Sequence, residues 1–522
     1  MRIRYAVNNL RRLIAVPRIE IRPLTILLGR NSAGKSTFLR SISLLRQSIE
    51  TNSSAPILWY GNYVDFGNYK SAVSDNDVSN EITFSFGIDN FNKYTNRQNY
   101  LGIRKDVVIP QAVQYGNILI DYIIGGDGDS TYRSEIRLEV KEIDTVLEIE
   151  FGSRKPFVSN IKINGDTFKV IPDNYRIFIP NNELFGRPTF FAVGKDESLN
   201  FEHIRDVFRG AIEKEIGNID ARVGRHRITK EADRILNQRS LSPAALKELS
   251  KADTQTFRQF YTSLPQRWRS PKLKKLDEIC RVHHSFEVLD ALSFSLNSLF
   301  RSVEYIGPAR ARSERFYRQQ ELEVSEISPD GRNLPMFLAS LDPFTLSSFS
   351  SWVERVFGYG VSVQKNEGHI SINLEQAGKS VNVLDTGYGV SQILPVLTQI
   401  WWMQQPDRYR RRSVSANRLD VKTLLIEQPE LHLHPAHQAL IADVFVDALK
   451  NESAPVSFVV ETHSESLINR LGELVSLGLV SADDVQIAIF GDDQNGEGQQ
   501  VAISTFGPDG VLQNWPHGFF NY

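Results

Sequence analysis

Apolar residues recur along the chain with two different spacings, and the change of spacing marks where strands give way to helices. Short apolar runs at residues 25–28, 423–426 and 456–460 are bounded by polar residues, as in buried parallel strands. Each run is followed by apolar residues at helical spacing, which after the first run are Phe38, Leu39, Ile42 and Leu45. This alternation of buried strands and amphipathic helices predicts an α/β fold.

The middle of the chain changes its pattern near residue 196. Residues 51–195 contain short runs of alternating apolar residues, such as ITFSFGI and VLEIEFG, and KINGDTFKV has the composition of a hairpin. Residues 196–300 shift to helical spacing, as in FEHIRDVFRGAIEKEIG. We therefore predict an N-terminal lobe with a β subdomain (1–195), a helical insertion (196–300) and a C-terminal lobe (301–522).

The composition is that of a globular protein, with 522 residues, 41% hydrophobic residues and a net charge of −2. The single cysteine, Cys280, excludes an intrachain disulfide and favours a reducing compartment. The N-terminal stretch MRIRYAVNNLRRLIAV lacks the apolar core of a signal peptide, and no apolar run reaches about 18 residues. We therefore expect a cytoplasmic protein without a membrane span.

A phosphate-binding pattern stands at residues 29–36, where GRNSAGKS fits G-x-x-x-x-G-K-[ST] between a strand and a helix. Its glycines allow backbone amides to face phosphate oxygens at the helix N-terminus. Lys35 would then reach the β and γ phosphates, and Ser36 would ligate Mg²⁺. The cofactors predicted from this loop are ATP and Mg²⁺. The predicted binding residues are Gly29, Arg30, Asn31, Ser32, Ala33, Gly34, Lys35, Ser36 and Thr37.

The strand in TLLIEQPE ends in Glu427, Gln428 and, two residues later, Glu430. P-loop enzymes that hydrolyse phosphates present a magnesium-organising acid and a water-activating base at such a strand end. Glu427 takes the first place and is a predicted metal ligand. Gln428 takes the second, and an amide orients water without accepting its proton. Two hypotheses follow: a catalytic base displaced to Glu430, or a deliberately slow switch.

Two further segments carry candidate phosphate contacts. His463 follows the apolar strand in PVSFVVETHSE, where it could contact the γ phosphate or have a purely structural role. The loop in VLDTGYGVSQILP precedes an apolar helix, and Gly387 and Gly389 permit close approach of the backbone to an anion. A simple turn before a core helix is the alternative for this loop.

In the order GRNSAGKST, LDTGYGVSQILP, LLIEQPELHLHP and VVETHSESLINR, the chain resembles the ABC-type AAA ATPases related to chromosome-maintenance and overcoming-lysogenization-defect proteins. The resemblance covers both ends of the chain. Within that family, the segment Asp509-Gly510 followed by NWPHGFF is similar to a group that includes the ATPase subunits of Septu and retron-linked anti-phage systems. Such subunits act with a separate nuclease or toxin.

The resemblance implies a head assembled from N- and C-terminal lobes, with two heads enclosing two ATP molecules in a homodimer or a larger oligomer of dimers. Each P-loop would face the signature loop of the other subunit. The signature residues implied are Asp385, Gly387, Gly389 and Ser391, and either Asp385 or Ser391 would contact the γ phosphate. Gln47 is a candidate for the glutamine that lies near the nucleotide in relatives.

Basic side chains cluster in two segments that could bind a nucleic acid or a partner protein. The first is PQRWRSPKLKK at residues 265–275, and the second lies within EYIGPARARSERFYR at residues 304–318. An exposed basic surface without a ligand explains the same composition. The candidate contacts are Arg267, Arg269, Lys272, Lys274, Lys275, Arg310 and Arg312.

Two other clusters invite a metal interpretation that the pattern does not favour. His432, His434 and His437 lack a zinc motif, and we expect them to shape a loop between two ATP sites. Asp492 and Asp493 lie in a turn, and we expect any nuclease activity to reside in another chain.

The motifs therefore predict an ATP-hydrolysing switch, and the resemblance implies that it controls a separate effector in anti-phage defence. A DNA-repair or chromosome-maintenance ATPase that binds DNA through the basic insertion is the first alternative. A non-hydrolysing scaffold that stores its partner in the ATP-bound state is the second.

Overall fold

The computed structural model describes most of the chain. The described residues are 2–93, 113–128, 130–152, 157–169, 171, 174–180, 183–194, 198–217, 219, 223–263, 271–320, 324, 326–405, 422–491 and 500–515. No described helix is long and apolar enough to cross a membrane.

Strands and helices alternate at both ends of the chain, and strands precede helices in its middle. The strands are β1 (Arg2–Asn8), β2 (Ile19–Glu20), β3 (Leu24–Gly29), β4 (Ile82–Lys93), β5 (Val113–Gly126), β6 (Thr131–Val140), β7 (Thr145–Phe151), β8 (Val158–Ile163), β9 (Asp166–Thr167), β10 (Tyr175–Phe178), β11 (Thr189–Val193), β12 (Leu199–Glu202), β13 (Val303–Ile306), β14 (Tyr317–Arg318), β15 (Gly360–Asn366), β16 (His369–Gln376), β17 (Lys379–Asn382), β18 (Lys422–Glu427), β19 (Val456–Glu461), β20 (Val485–Phe490), β21 (Val501–Phe506) and β22 (Leu512–Gln513). The helices are α1 (Lys35–Glu50), α2 (Tyr69–Ala72), α3 (Ile204–Ile216), α4 (Arg225–Leu236), α5 (Pro243–Leu249), α6 (Gln255–Ser263), α7 (Pro271–Arg301), α8 (Leu334–Ser340), α9 (Pro343–Phe357), α10 (Tyr388–Met403), α11 (Pro435–Leu449) and α12 (Glu465–Ser476).

The chain divides into two compact units. The first comprises Met1–Ala6, Thr51–Leu58 and Asn68–Asn297, and the second comprises Val7–Glu50, Trp59–Gly67 and Ser298–Tyr522. The division cuts across the three predicted segments, because the P-loop region groups with the C-terminal part of the chain and not with the β-rich region that follows it.

A seven-stranded sheet forms the centre of the second unit, in the order β13-β18-β19-β3-β20-β21-β22. The strands from β13 to β20 are parallel, and β21 and β22 add an antiparallel edge. Every residue of β3 and β19 is buried, which explains why both strands are mostly apolar. The predicted α/β class is confirmed, and the N-terminal strand β3 lies between two C-terminal strands, as expected for a head built from both ends.

A smaller antiparallel sheet in the second unit precedes α10. Its central strand is β16, which pairs with β15, β14 and β17, all antiparallel. Asn382 ends β17 and its side chain accepts a hydrogen bond from the backbone of Leu384, so the chain turns sharply into the predicted signature loop.

The first unit contains the predicted β region and helical region. Strands β4 to β9 are joined in chain order within one antiparallel sheet, β10 to β12 form another, and the helices α3 to α6 follow. The predicted NGDT hairpin is present between β8 and β9, where Asn164 and Gly165 both have positive φ values of 49° and 84°. These angles are the ones a two-residue hairpin turn requires, and Asn and Gly tolerate them best.

Candidate nucleotide site

The P-loop connects the buried strand β3 to α1, and its shape requires glycine at two positions. Gly29 has φ +143°, and a Cβ there would lie 2.2 Å from the carbonyl oxygen of Phe490. Gly34 has φ +102°, and a Cβ there would lie 2.4 Å from a side-chain carbon of Leu13. A side chain at either position would be strained by the positive φ and would require neighbouring atoms to move, so the sharp path of the loop depends on glycine.

Lys35 is buried inside this loop. Its Nζ donates to the carbonyl oxygens of Gly29 and Arg30, each at 2.9 Å. Burial lowers the pKa of Lys35, and the negative charge of Glu461 opposes that shift. The ammonium group is thus held where the loop curls, which is the position expected for a lysine that contacts phosphate.

Two carboxylates lie side by side at the carboxyl edge of the sheet. Glu427 ends β18 and Glu461 ends β19, and the two residues are directly paired in the parallel register. Glu461 also pairs with Leu27 of β3, so it lies between Glu427 and the P-loop strand. The hydroxyl of Ser36 donates to Glu461 Oε1 at 2.8 Å. The P-loop serine therefore contacts Glu461, a residue absent from the predicted site.

Glu427 is almost completely buried, with 2% of its surface exposed, and is held by two other side chains. Arg40 of α1 donates to both carboxylate oxygens at 2.7 and 2.8 Å, and the Tyr305 hydroxyl donates to Oε1 at 2.8 Å. The bond to Glu427 raises the pKa of Arg40, while burial and the charge of Glu427 raise that of Tyr305. Sequence reasoning missed both partners because they come from distant elements, although Arg40 lies one helical turn after Ser36.

Among the described residues, no cation contacts Glu461 as Arg40 contacts Glu427. Glu461 is 3% exposed, and within the described part of the chain its Oε2 has no hydrogen-bond partner. Burial, followed by the charge of Glu427, raises the pKa of Glu461 to about 7. One feature of the sequence could have indicated Glu461: it ends a mostly apolar strand. Ligands of parallel sheets bind at the carboxyl ends of the strands, so a residue at that place is a candidate for the site.

Gln428, at the predicted base position, is half-buried with an unusual backbone. Its φ is +45°, which is unfavourable for a residue with a side chain. Its N–H donates to the carbonyl oxygen of Glu461 at 2.7 Å. This contact fixes the start of the turn that leaves β18, and the residue stays partly accessible.

Glu430 is buried behind that turn, with 7% of its surface exposed. Its Oε1 accepts a hydrogen bond from the backbone N–H of His463 at 2.7 Å, and burial raises the pKa of its carboxyl group. The His463 side chain is exposed, and burial of part of the ring together with the nearby Lys35 cation lowers its pKa. Glu430 therefore contacts the segment that carries His463, and its role as a substitute base stays a prediction.

Arg310 is buried as well, with 4% of its surface exposed, which corrects the prediction that it contacts a nucleic acid or a partner. Its Nη2 donates to the backbone oxygen of Glu427 at 2.8 Å. Burial lowers the pKa of Arg310 to about 10, and the charges of Glu430 and Glu427 oppose this shift. Arg310 supports the carboxyl end of β18 from inside. Arg312, two residues later, is not buried, and its predicted contact stays a prediction.

The predicted basic cluster of the helical insertion is only partly described, because Arg267 and Arg269 lie outside the described residues. Lys274 pairs with Asp166 at 3.2 Å, and Lys275 pairs with Glu215 at 2.6 Å. These acidic partners reduce the local positive charge. Lys272 instead places its ammonium group 5.5 Å from the centre of the Phe260 ring.

The predicted signature loop packs on the turn that follows Glu430. A Cβ on Gly389 would lie 2.5 Å from the carbonyl oxygen of His432, so the two segments are in close contact. Gly387, with φ +97°, precedes α10. Asp385 is exposed and pairs with Arg315 at 2.7 Å, whereas Ser391 is buried. Of the two γ-phosphate candidates, Asp385 is the accessible one within this chain.

Gln47 and His434 have structural contacts. The Nδ1 of His434, just before α11, accepts a hydrogen bond from the backbone of Ala436 at 3.3 Å.

Gln47 lies twelve residues after Lys35 on the same helix, about 18 Å along its axis. Both ends of its amide bond the backbone of Val64, so the structure places Gln47 away from the P-loop, contrary to its predicted place near the nucleotide.

Two predicted features lie wholly or partly outside the described residues. These are the turn acids Asp492 and Asp493, and residues 516–520 of the NWPHGFF segment.

Residues 24–469 match the family model described as "AAA domain, putative AbiEii toxin, Type IV TA system". Among solved structures, the chain is similar to a Smc head domain from Pyrococcus furiosus, which has an extended coiled coil and is bound to the C-terminal domain of ScpA. The two sequences are 12% identical, the TM-score is 0.30, and the match covers 97% of this chain and 96% of that chain. The SMC head domain from Thermotoga maritima is 8% identical, with a TM-score of 0.32 and coverage of 97% and 100%. No curated protein matches the chain.

Proposed function

Because the chain belongs to this AAA-domain family and has the α/β fold of an ABC-type P-loop ATPase head, we propose that it is an ATP-hydrolysing switch that controls a separate effector in anti-phage defence. Two copies would enclose two ATP molecules, and the effector would be a nuclease or a toxin in another chain. The effector and its defensive role rest on the resemblance of the sequence motifs, since a fold alone does not specify function.

One observation carries the ATPase part of the proposal: the functional groups of the P-loop meet the strand-end carboxylates in a single place. The hydroxyl of Ser36 contacts Glu461, which is paired in register with Glu427. These groups come from opposite ends of the sequence. Their convergence at the carboxyl edge of a parallel sheet is the arrangement that nucleotide-hydrolysing enzymes use.

The residues at this place fit a magnesium ion. The hydroxyl of Ser36 and the buried carboxylates of Glu427 and Glu461 are hard oxygen donors, and no described residue bonds the Oε2 of Glu461. When bound with ATP, Mg²⁺ neutralises charge on the phosphate oxygens. Lys35 adds a second positive charge from within the loop.

The turn after β18 supports slow hydrolysis. Gln428 is partly accessible, but its amide cannot accept a proton at neutral pH, so it can orient a water molecule without activating it. Slow turnover would prolong the ATP-bound state, in which the two heads are held together. A partner that binds one arrangement of the heads would be released by the other.

The proposal is tested by producing the protein with the products of its flanking genes in a phage-sensitive bacterial host and counting plaques over a panel of phages. We expect fewer plaques with the wild-type chain than with Lys35→Ala, which removes the phosphate-binding cation. Equal plaque counts for both chains over the panel would overturn the defence function. Turnover of purified protein no faster than that of Lys35→Ala would instead support the non-hydrolysing scaffold.

A further inference from the structure

We propose that Glu461, the last residue of β19, is the principal protein carboxylate of the magnesium site, and that Glu427 is kept from direct coordination by Arg40 and Tyr305. The inference rests on the proposed ATPase function and assigns a role within its site. The residue that the sequence pattern indicates for this role is Glu427, so the structure and the pattern point to different carboxylates.

The spacing between Ser36 and Glu461 fits a shared cation. Magnesium holds its oxygen ligands at 2.0–2.1 Å in an octahedron, so neighbouring ligands lie roughly 2.9 Å apart. Ser36 Oγ and Glu461 Oε1 lie 2.8 Å apart. The serine hydroxyl is the P-loop group that ligates magnesium, and Glu461 is the carboxylate in contact with it.

Glu427 has little capacity left for a cation. Arg40 bonds both of its oxygens at 2.7 and 2.8 Å, and Tyr305 bonds Oε1 again. A bidentate guanidinium pair is the strongest common arrangement of this kind and already neutralises the charge of Glu427. Direct coordination by Glu427 would require this buried pair to separate.

Glu461, in contrast, has an oxygen that is available to a cation. Its hydrogen-bond donors in the described part of the chain are not cationic, and its buried Oε2 accepts no bond there. A buried carboxylate that no cation contacts directly is unfavourable, and a divalent ion beside it would reduce that cost. Of two adjacent carboxylates, the structure thus neutralises one with arginine and leaves the other available.

The test measures metal binding directly, with the full-length protein, the ATP analogue AMP-PNP and Mn²⁺ detected by electron paramagnetic resonance. The variants are Glu461→Gln, Glu427→Gln and the matched control Glu465→Gln, which changes an exposed glutamate at the start of α12. We expect the Mn²⁺ dissociation constant to rise roughly tenfold or more in Glu461→Gln, with a smaller change in Glu427→Gln and none in the control. AMP-PNP binding in EDTA is measured in parallel. There Glu461→Gln and Glu427→Gln should bind no more weakly than the control, so that a weaker Mn²⁺ complex reports loss of metal ligation and not loss of the nucleotide.

A second variant separates coordination from a merely structural role. Glu461→Cys offers a sulfur ligand, so we expect it to prefer Cd²⁺ over Mn²⁺ in the presence of AMP-PNP, because soft ligands select soft metals. Loss of Mn²⁺ binding that is equal in Glu427→Gln and Glu461→Gln, or greater in Glu427→Gln, would overturn the proposal. Failure of the wild-type protein to bind AMP-PNP at all would instead overturn the proposed ATPase function.

Discussion

At the scale of single residues, two glutamates that both end buried strands have different surroundings in the site. Glu427 is neutralised by Arg40, whereas Glu461 is bonded by the hydroxyl of Ser36. The difference depends on which side chains of other elements face each carboxylate, and no local pattern encodes it. The sequence therefore identified Glu427 at this edge of the sheet, but neither Glu461 beside it nor the distribution of charge between the two.

The burial of Glu461 beside Glu427 predicts a pH-dependent stability. Its pKa is raised to about 7 from an ordinary value of 4.5, so the native protein binds this proton more tightly than the unfolded chain. The stabilisation that this group contributes is fully present below about pH 4.5 and is lost as the pH rises through about 7. The loss lowers the free energy of unfolding by roughly 3 kcal/mol. Glu461→Gln should therefore raise the free energy of unfolding in EDTA at pH 8, and the gain should shrink toward pH 5.

Chemical denaturation at both pH values measures that gain. The exposed Glu465→Gln serves as the control and should show no such trend. A gain in Glu461→Gln that is the same at pH 5 and pH 8 would contradict the assignment of the buried charge.

The turn after β18 allows the displaced base and the slow switch to be distinguished. Glu430→Gln keeps an oxygen that can accept the His463 N–H but loses the ability to accept a proton. If Glu430 is the substitute base, turnover should fall roughly a hundredfold while ATP affinity stays nearly constant. Both are measured by steady-state phosphate release and by nucleotide titration. Unchanged turnover would remove the displaced base from consideration.

The companion variant is Gln428→Glu, which places a proton acceptor at the predicted base position. Faster phosphate release and a shorter-lived ATP-bound dimer would show that the glutamine prolongs the ATP-bound state. A rate equal to that of the wild-type protein would count against the slow-switch hypothesis.

At the scale of elements, the sequence identified the strands and helices that build the site but not their neighbours. The strands β3, β18 and β19 follow from apolar runs, and the P-loop follows from its spacing. The position of β13 beside β18 could not be inferred, because a short apolar strand carries no information on its pairing. That pairing places Tyr305 on Glu427, and the chain that follows it brings Arg310 into the interior.

Arg310 shows the same limit. Arginines clustered after a Gly-Pro turn are typical of a surface, and Arg312 is indeed not buried. The side chain of Arg310 instead turns inward to bond the backbone of Glu427. Whether an arginine faces solvent or a strand end depends on tertiary packing.

The contact between the signature loop and the turn after β18 predicts a packing effect at one glycine. Gly389→Ala would place a methyl group 2.5 Å from the carbonyl oxygen of His432. We expect the displaced loop to cost roughly 1–3 kcal/mol of stability and to slow ATP turnover. Gly210→Ala is the matched control, because Gly210 lies inside α3 and a Cβ there meets no atom within 4 Å.

Gly389 lies in the first turn of α10 and Gly210 lies inside α3, so alanine is compatible with the helix at both positions. A loss of stability confined to Gly389→Ala would therefore indicate the contact with His432. Gly210→Ala should be neutral or stabilising by about 1 kcal/mol. Thermal unfolding and phosphate release measure both effects. Equal stability of the two variants would show that the turn after β18 moves without cost.

At the scale of the whole molecule, the proposed ATP dimer makes each site depend on two chains. Lys35→Ala damages a P-loop, and Asp385→Ala damages a signature loop, so each variant alone should hydrolyse ATP poorly. In an equimolar mixture, the mixed dimers contain one intact site, and activity should return to about a quarter of the wild-type value. Light scattering with ATP should detect the dimer, and phosphate release should detect the restored site.

Two outcomes would contradict this arrangement. No recovery in the mixture, with ATP-dependent dimers present, would mean that P-loop and signature loop act within one chain. Full activity of Asp385→Ala alone would remove Asp385 from the γ-phosphate role and leave it to Ser391.

The central place of β3 also has a consequence for the synthesis of the protein. Its neighbours β19 and β20 begin at Val456 and Val485, so the ribosome must add roughly 430 residues after the P-loop strand before either is complete. At 5–20 residues per second, that interval is on the order of 20–90 seconds. During that interval β3, which is mostly apolar and fully buried in the native protein, lacks its final partners. The nascent chain therefore depends on protection from aggregation until translation is nearly finished.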